Sequence, residues 1–128
     1  MKKTLLGIIF VLLLALPTQA QEANRQKCLE STVQFYNCLK GGTELQRSLA
    51  TTYLLGAIQT LAALDLIDIP KNKNMAHFRF EYLDFVELNA SIHNERPGHG
   101  MVMYLLQTYG KETNTEGMNY VKSLDLVR

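Results

Sequence analysis

Thr43-Glu44-Leu45-Gln46-Arg47-Ser48-Leu49-Ala50-Thr51-Thr52-Tyr53-Leu54-Leu55-Gly56-Ala57-Ile58-Gln59-Thr60-Leu61-Ala62-Ala63-Leu64 is the stretch on which the fold turns. Thr43 and Gln46 have the spacing of a capping box, in which the hydroxyl accepts from an orphan amide and the longer side chain reaches back. From Ser48 to Leu64 no residue is charged. Leu45, Leu49, Tyr53, Ala57, Leu61 and Leu64 recur at helical spacing, and Leu54 and Ile58 widen the apolar face. The pattern predicts a central core helix over about 43–66, wet only along a narrow seam through Arg47, Thr51 and Gln59. Thr51, Thr52, Gln59 and Thr60 make it too polar for a membrane span. Gly56, Thr60 and Ala63 form a small-residue ridge on which another helix could pack closely.

Punctuation surrounds this helix. Gly41-Gly42 breaks the chain before it, and Pro70 with Lys71-Asn72-Lys73-Asn74 makes a loop after it. His77-Phe78-Arg79-Phe80-Glu81-Tyr82 alternates like a strand, yet Phe78, Tyr82, Phe85, Val86 and Ile92 also share one helical face. With Asn74 as N-cap, one helix from about Ala76 to His93 is the preferred reading and a strand the alternative. Asn94-Glu95-Arg96-Pro97-Gly98 reads as a turn. Met101 to Tyr109 reads as an apolar helix closed by Gly110. Glu112 to Thr115 is a polar link, and Met118, Val121 and Leu124 suit a short last helix. The expected fold is all-α, a small bundle of four or five helices around the 43–66 helix.

The amino terminus carries a different message. Met1-Lys2-Lys3 precedes an apolar run from Leu5 to Leu16, and Pro17-Thr18-Gln19-Ala20 offers a small-residue cut site. This is the pattern of a cleaved secretory signal. Its apolar run is short for about 30 Å of hydrocarbon, which disfavours a retained anchor. Gln21 follows the expected cut, so no lipid-attachment cysteine is present. The short Lys2-Lys3 start is bacterial in style. Residues 1–20 are therefore read as the signal, residues 21–128 as one exported helical domain, and the periplasm as its address. Two of the 13 Lys and Arg leave with the signal against 12 Asp and Glu, which turns a net charge of +1 into −1. The near-neutral balance and scattered basic residues give no electrostatic case for nucleic acid or anionic lipid.

Cys28 and Cys38 are the chain's two cysteines. An even count in an exported protein favours a disulfide. On one straight helix their Cα atoms would lie about 15 Å apart, whereas a disulfide needs roughly 4.4–6.8 Å. Either the bond forms and the segment bends back, or the segment is one helix and the thiols stay apart; export favours the bond.

The most polar and irregular segment is His93-Asn94-Glu95-Arg96-Pro97-Gly98-His99-Gly100. His93, Asn94, Glu95, Arg96 and His99 are the partner-binding candidates, because functional side chains concentrate on loops held by a rigid scaffold. His93 and His99 are six apart and share no helical face. With Glu95 they supply three ligands where structural zinc takes four, so no metal and no cofactor are expected. Asp84 and Glu87 read as solvated surface carboxylates rather than an acid–base pair. Phe78, Phe80, Tyr82 and Phe85 read as core rather than a ligand cage. The sequence holds no phosphate loop or nucleophile elbow, and no catalytic residue is assigned. The expectation is a protein that is not an enzyme.

Tyr53-Leu54-Leu55-Gly56-Ala57-Ile58-Gln59-Thr60-Leu61-Ala62, following the Cys28/Cys38 segment, resembles the core helix of small exported immunity proteins. That family protects bacteria from cell-wall amidases delivered by type VI secretion. The similarity covers about residues 28–110, with Met101 to Tyr109 matching a later apolar helix. The chain lacks the family's later cysteines and its Phe-Pro-Cys ending, and no toxin-plugging residue carries over. Together with export, small size and the lack of a catalytic constellation, the resemblance leads to the expectation of a non-catalytic periplasmic protein that binds and occludes a toxin enzyme, in a one-to-one complex or, as a homodimer, in a two-to-two complex. The alternative expectation is a small exported accessory of a conjugation or secretion apparatus.

Overall fold

The computed structural model describes residues 19–111. All but the last two residues of the predicted signal, and the predicted helix around Met118, Val121 and Leu124, lie outside that range. Five α-helices follow in order: α1 (Gln19–Cys28), α2 (Thr32–Gly41), α3 (Glu44–Ala63), α4 (Met75–Leu88) and α5 (Pro97–Tyr109), with a 3₁₀ turn, Ala90–Ile92, between the last two. No strand occurs among the described residues; the nearest thing is an isolated antiparallel bridge between Ile67 and Gly110. The all-α bundle expected from the sequence is the fold observed.

Local chemistry explains the helix starts. Ser31 accepts the amide of Gln34 and opens α2. Thr43 accepts the amide of Gln46, whose side chain accepts the amide of Thr43, completing the expected capping box of α3. Asn74 and His77 do the same for α4, so the 77–82 segment is helix and not strand. Pro97 stands in the first turn of α5, where a missing amide costs nothing.

The chain between the cysteines bends. α1 ends at Cys28 and α2 begins at Thr32, which brings the two Cα atoms to 5.8 Å and allows the Cys28–Cys38 disulfide. Closing a loop with a sequence separation of 10 contributes about 3 kcal/mol by restricting the unfolded chain. Both cysteines are buried, so the bond is also part of the core. Gln46 is buried too and donates to Asn24 at 3.1 Å, tying α1 to α3.

Four expectations need correction. First, α3 is not buried on most sides. Its core stripe is Gln46, Ala50, Leu54, Ile58 and Leu61, while Leu45, Tyr53 and Leu55 are 40%, 36% and 37% exposed. The helix is packed along one flank only, so its uncharged opposite face stands in solvent. Second, the 76–93 helix stops at Leu88. The Asn89 side chain donates back to the carbonyl of Phe85 at 2.7 Å, and its backbone (φ −124°, ψ 69°) leaves the helical region. Third, Gly98, His99 and Gly100 belong to α5 rather than to a loop. Fourth, Phe80, read as core, is 68% exposed.

The centre of the bundle is aromatic. Phe35 of α2 meets Tyr82 of α4 edge-on, and Tyr82 meets Tyr104 of α5, each with ring centroids 5.7 Å apart. Such contacts add about 0.5–1.5 kcal/mol per pair beyond area burial. The Tyr82 hydroxyl finds no hydrogen-bond partner among the described residues, and burial pushes its pKa up.

α2 and α5 approach closely where Thr32 faces Gly100. A Cβ at Gly100 would lie 2.7 Å from Thr32 Cγ2 and 2.9 Å from Thr32 Oγ1. Gly100→Ala should therefore destabilise the protein by about 1–3 kcal/mol, as overpacking does. Thr32→Ser, which removes the nearer atom and keeps the hydroxyl, should recover part of that loss in the double variant. Additive denaturation midpoints in the two-by-two cycle would show that the two positions are not in contact.

Candidate binding groove

A groove of about 500 Å³ runs between α3 and α5. Tyr53, Gly56, Ala57 and Thr60 line it from α3; Pro97, Gly98, Met101 and Val102 line it from α5; Leu29 also contributes. The threonines there turn their polar ends away. Thr52 donates its hydroxyl to the carbonyl of Ser48 at 2.9 Å, and Thr60 to that of Gly56 at 2.7 Å. Each side chain thereby satisfies its own polar group within the helix. Gly56 is open: a Cβ there would meet no atom within 4 Å. The ridge expected to receive a neighbouring helix is thus unoccupied within the described residues at Gly56.

The His93–Arg96 segment works differently from its sequence reading. Its backbone is structural. The amide of Thr32 donates to the carbonyl of Glu95 at 2.8 Å, and the amide of Val33 to that of His93 at 3.0 Å. The Thr32 hydroxyl shares its proton between the carbonyls of Glu95 and Arg96, each 3.0 Å away. These carbonyls satisfy donors that the first turn of α2 would otherwise leave orphaned. His93 is half-buried, with Nε2 2.8 Å from the carbonyl of Val86. His99 sits on the first turns of α5, its Nδ1 buried without a hydrogen-bond partner among the described residues. Only Asn94 and Arg96 of the five candidates are exposed. None of the five lines the groove, whose lining on this segment begins with Pro97 and Gly98. No group of His, Cys, Asp or Glu suited to a metal occurs among the described residues. Nor is any described helix long and apolar enough to cross a membrane.

On another side of α5, Glu81 is the hub of a polar cluster. Its carboxylate accepts from Tyr104 at 2.7 Å, from Tyr109 and from Lys73. Lys73 also donates to Tyr109 at 2.8 Å and lies 5.1 Å from the centre of that ring. Burial works to raise the Glu81 pKa, but the bonds from Lys73, Tyr109 and Tyr104 outweigh it and hold the carboxyl below its ordinary value. Burial and then the bond to Glu81 push Tyr104 up. The cluster ties α4, the loop before it and the end of α5 together, and its members satisfy one another. Periodicity does not signal it, because its four residues come from three separate segments.

No protein-family model, curated protein or solved structure matches this chain.

The Glu81 cluster sets a pH dependence. A carboxylate with a lowered folded pKa contributes stability above its unfolded value, about 4.3, and loses it as pH falls through the folded value. Glu81→Gln should cost about 1–2 kcal/mol near neutral pH, discounted for the partial exposure of the pair. It should also flatten the loss of stability between pH 5 and pH 2. Urea midpoints across that range in both proteins check this, and parallel curves would contradict it.

Proposed function

We propose that this protein is a non-catalytic binding protein of the bacterial envelope, exported by residues 1–20, that acts as an immunity or inhibitor protein by occluding a toxin. The observation that carries the reading is the apolar groove beside α3. A helix with no charge from Ser48 to Leu64 leaves Tyr53 36% exposed on the wall of an open cleft of about 500 Å³. A surface helix of a monomeric protein ordinarily turns charged residues outward. Concave, mostly apolar sites are where binding partners seat. The signal-like pattern of residues 1–20, the Cys28–Cys38 pair and the resemblance of the α3 segment to amidase-immunity proteins support this reading.

Gly56 separates folding from binding. Gly56→Ala should stabilise the protein by about 0.5–1 kcal/mol, since glycine in a helix interior is costly and the added methyl meets nothing. Gly56→Trp should keep the fold and fill the groove. In competition with toxin-delivering neighbours, cells lacking the gene should die, Gly56→Ala should restore survival, and Gly56→Trp should not. Equal survival of the deletion strain and its parent, with the toxin confirmed to be delivered, removes the immunity reading.

A further inference from the structure

α3 carries a second cavity beside its first turns, meeting the apolar groove at Thr52. Glu44, Arg47, Ser48, Thr51 and Thr52 of α3 and Arg79 of α4 line a cup of about 320 Å³. Two arginines from different helices thus open on one space. Among the described residues neither makes an ion pair within 4.0 Å, although Glu44 shares the cup. Arg79 Nε is buried and has no hydrogen-bond acceptor among the described residues. A buried charged donor left without an acceptor is costly, and such groups in folded proteins nearly always find one. No neighbouring hydroxyl meets that need: Thr51 and Thr52 turn theirs to the carbonyls of Arg47 and Ser48 at 2.7 and 2.9 Å, and neither oxygen accepts from Arg79 Nε. Arg79 Nε itself is closed to solvent, so the cup offers the remaining guanidinium donors of Arg47 and Arg79, the Ser48 hydroxyl, and a charge balance of two cations against one carboxylate.

We propose that the Arg47–Arg79 cup is a carboxylate-binding site, taking an acidic side chain from a bound partner. Guanidinium matches a carboxylate in plane and can engage it with paired hydrogen bonds. The net single positive charge of the cup suits a monoanion better than a phosphoryl dianion. Glu44 acts as a brake, since its own charge repels the incoming acid. This site stands independently of the groove reading: its ligand chemistry follows from α3 and α4, not from α5.

The test uses small probes, so it needs no identified partner. N-acetyl-glutamate amide is titrated into the purified protein at constant ionic strength, with N-acetyl-glutamine amide and inorganic phosphate as separate arms, and amide chemical shifts are followed. The expected result is saturable shifts at residues 44–52 and 79 with the glutamate probe and none with the glutamine probe. Arg79→Gln and the exposed Arg47→Gln should each weaken binding at least about tenfold, as loss of a charge-assisted bond does. Glu44→Gln should tighten it. Arg47→Gln and Glu44→Gln change exposed positions, so the test survives if Arg79→Gln does not fold. Equal response to the glutamine probe, tighter binding of phosphate, or affinities unchanged by Arg47→Gln and Glu44→Gln would overturn the assignment.

Discussion

The structure depends on one buried threonine. Thr32 is inaccessible to solvent and spends both its amide and its hydroxyl on the carbonyls of Glu95 and Arg96. Its methyl side sits where a Cβ of residue 100 would be, so α5 meets α2 without a side chain between them. This clasp fixes the start of α5 against the start of α2. On the other side of the same first turns of α5, Pro97, Gly98 and Met101 face Tyr53, Gly56 and Thr60 across the apolar groove.

Around that clasp the bundle divides its forces by location. The disulfide and the Gln46–Asn24 bond hold α1 to the helices that follow. The Phe35–Tyr82–Tyr104 run of edge-on rings joins α2, α4 and α5 through the core. The Glu81 cluster closes the far end, where Lys111 also pairs with Asp65 and Asp68. Asp65 has a positive φ of 58° just after α3 and turns the chain toward Leu66 and Ile67. Aspartate tolerates that region better than most residues. α3 is held along one stripe by these neighbours and is free along the other, which leaves two cavities beside it that meet at Thr52.

Helix positions were largely legible in advance, because capping and breaking chemistry is local. Thr43 with Gln46, Asn74 as N-cap and Gly110 at a helix end all act within a few residues of themselves, whereas the start of α5 at Pro97 was read as a turn. The end of α4 escaped because Asn89 can either continue a helix or bond back to Phe85, and its neighbours decide which. The exposure of α3 escaped for a different reason. Its residues are apolar or small all round, so hydrophobic spacing could not say which stripe would be covered. The His93–His99 segment looked like a binding loop because its side chains are polar. Its backbone, which has no sequence signature, turned out to be the part in use.

The amino-acid sequence by itself determined an all-helical chain, the start of its central helix and a pair of cysteines placed to bond if the chain bends between them. Those follow from short-range sterics, capping and thiol chemistry. Tertiary structure alone decided which face of α3 is buried, where Glu81 finds Lys73, Tyr104 and Tyr109, and that Arg47 and Arg79 share a cup. These pairings join residues far apart in the chain. They are set by how whole helices cross, and no local pattern of residues encodes that crossing.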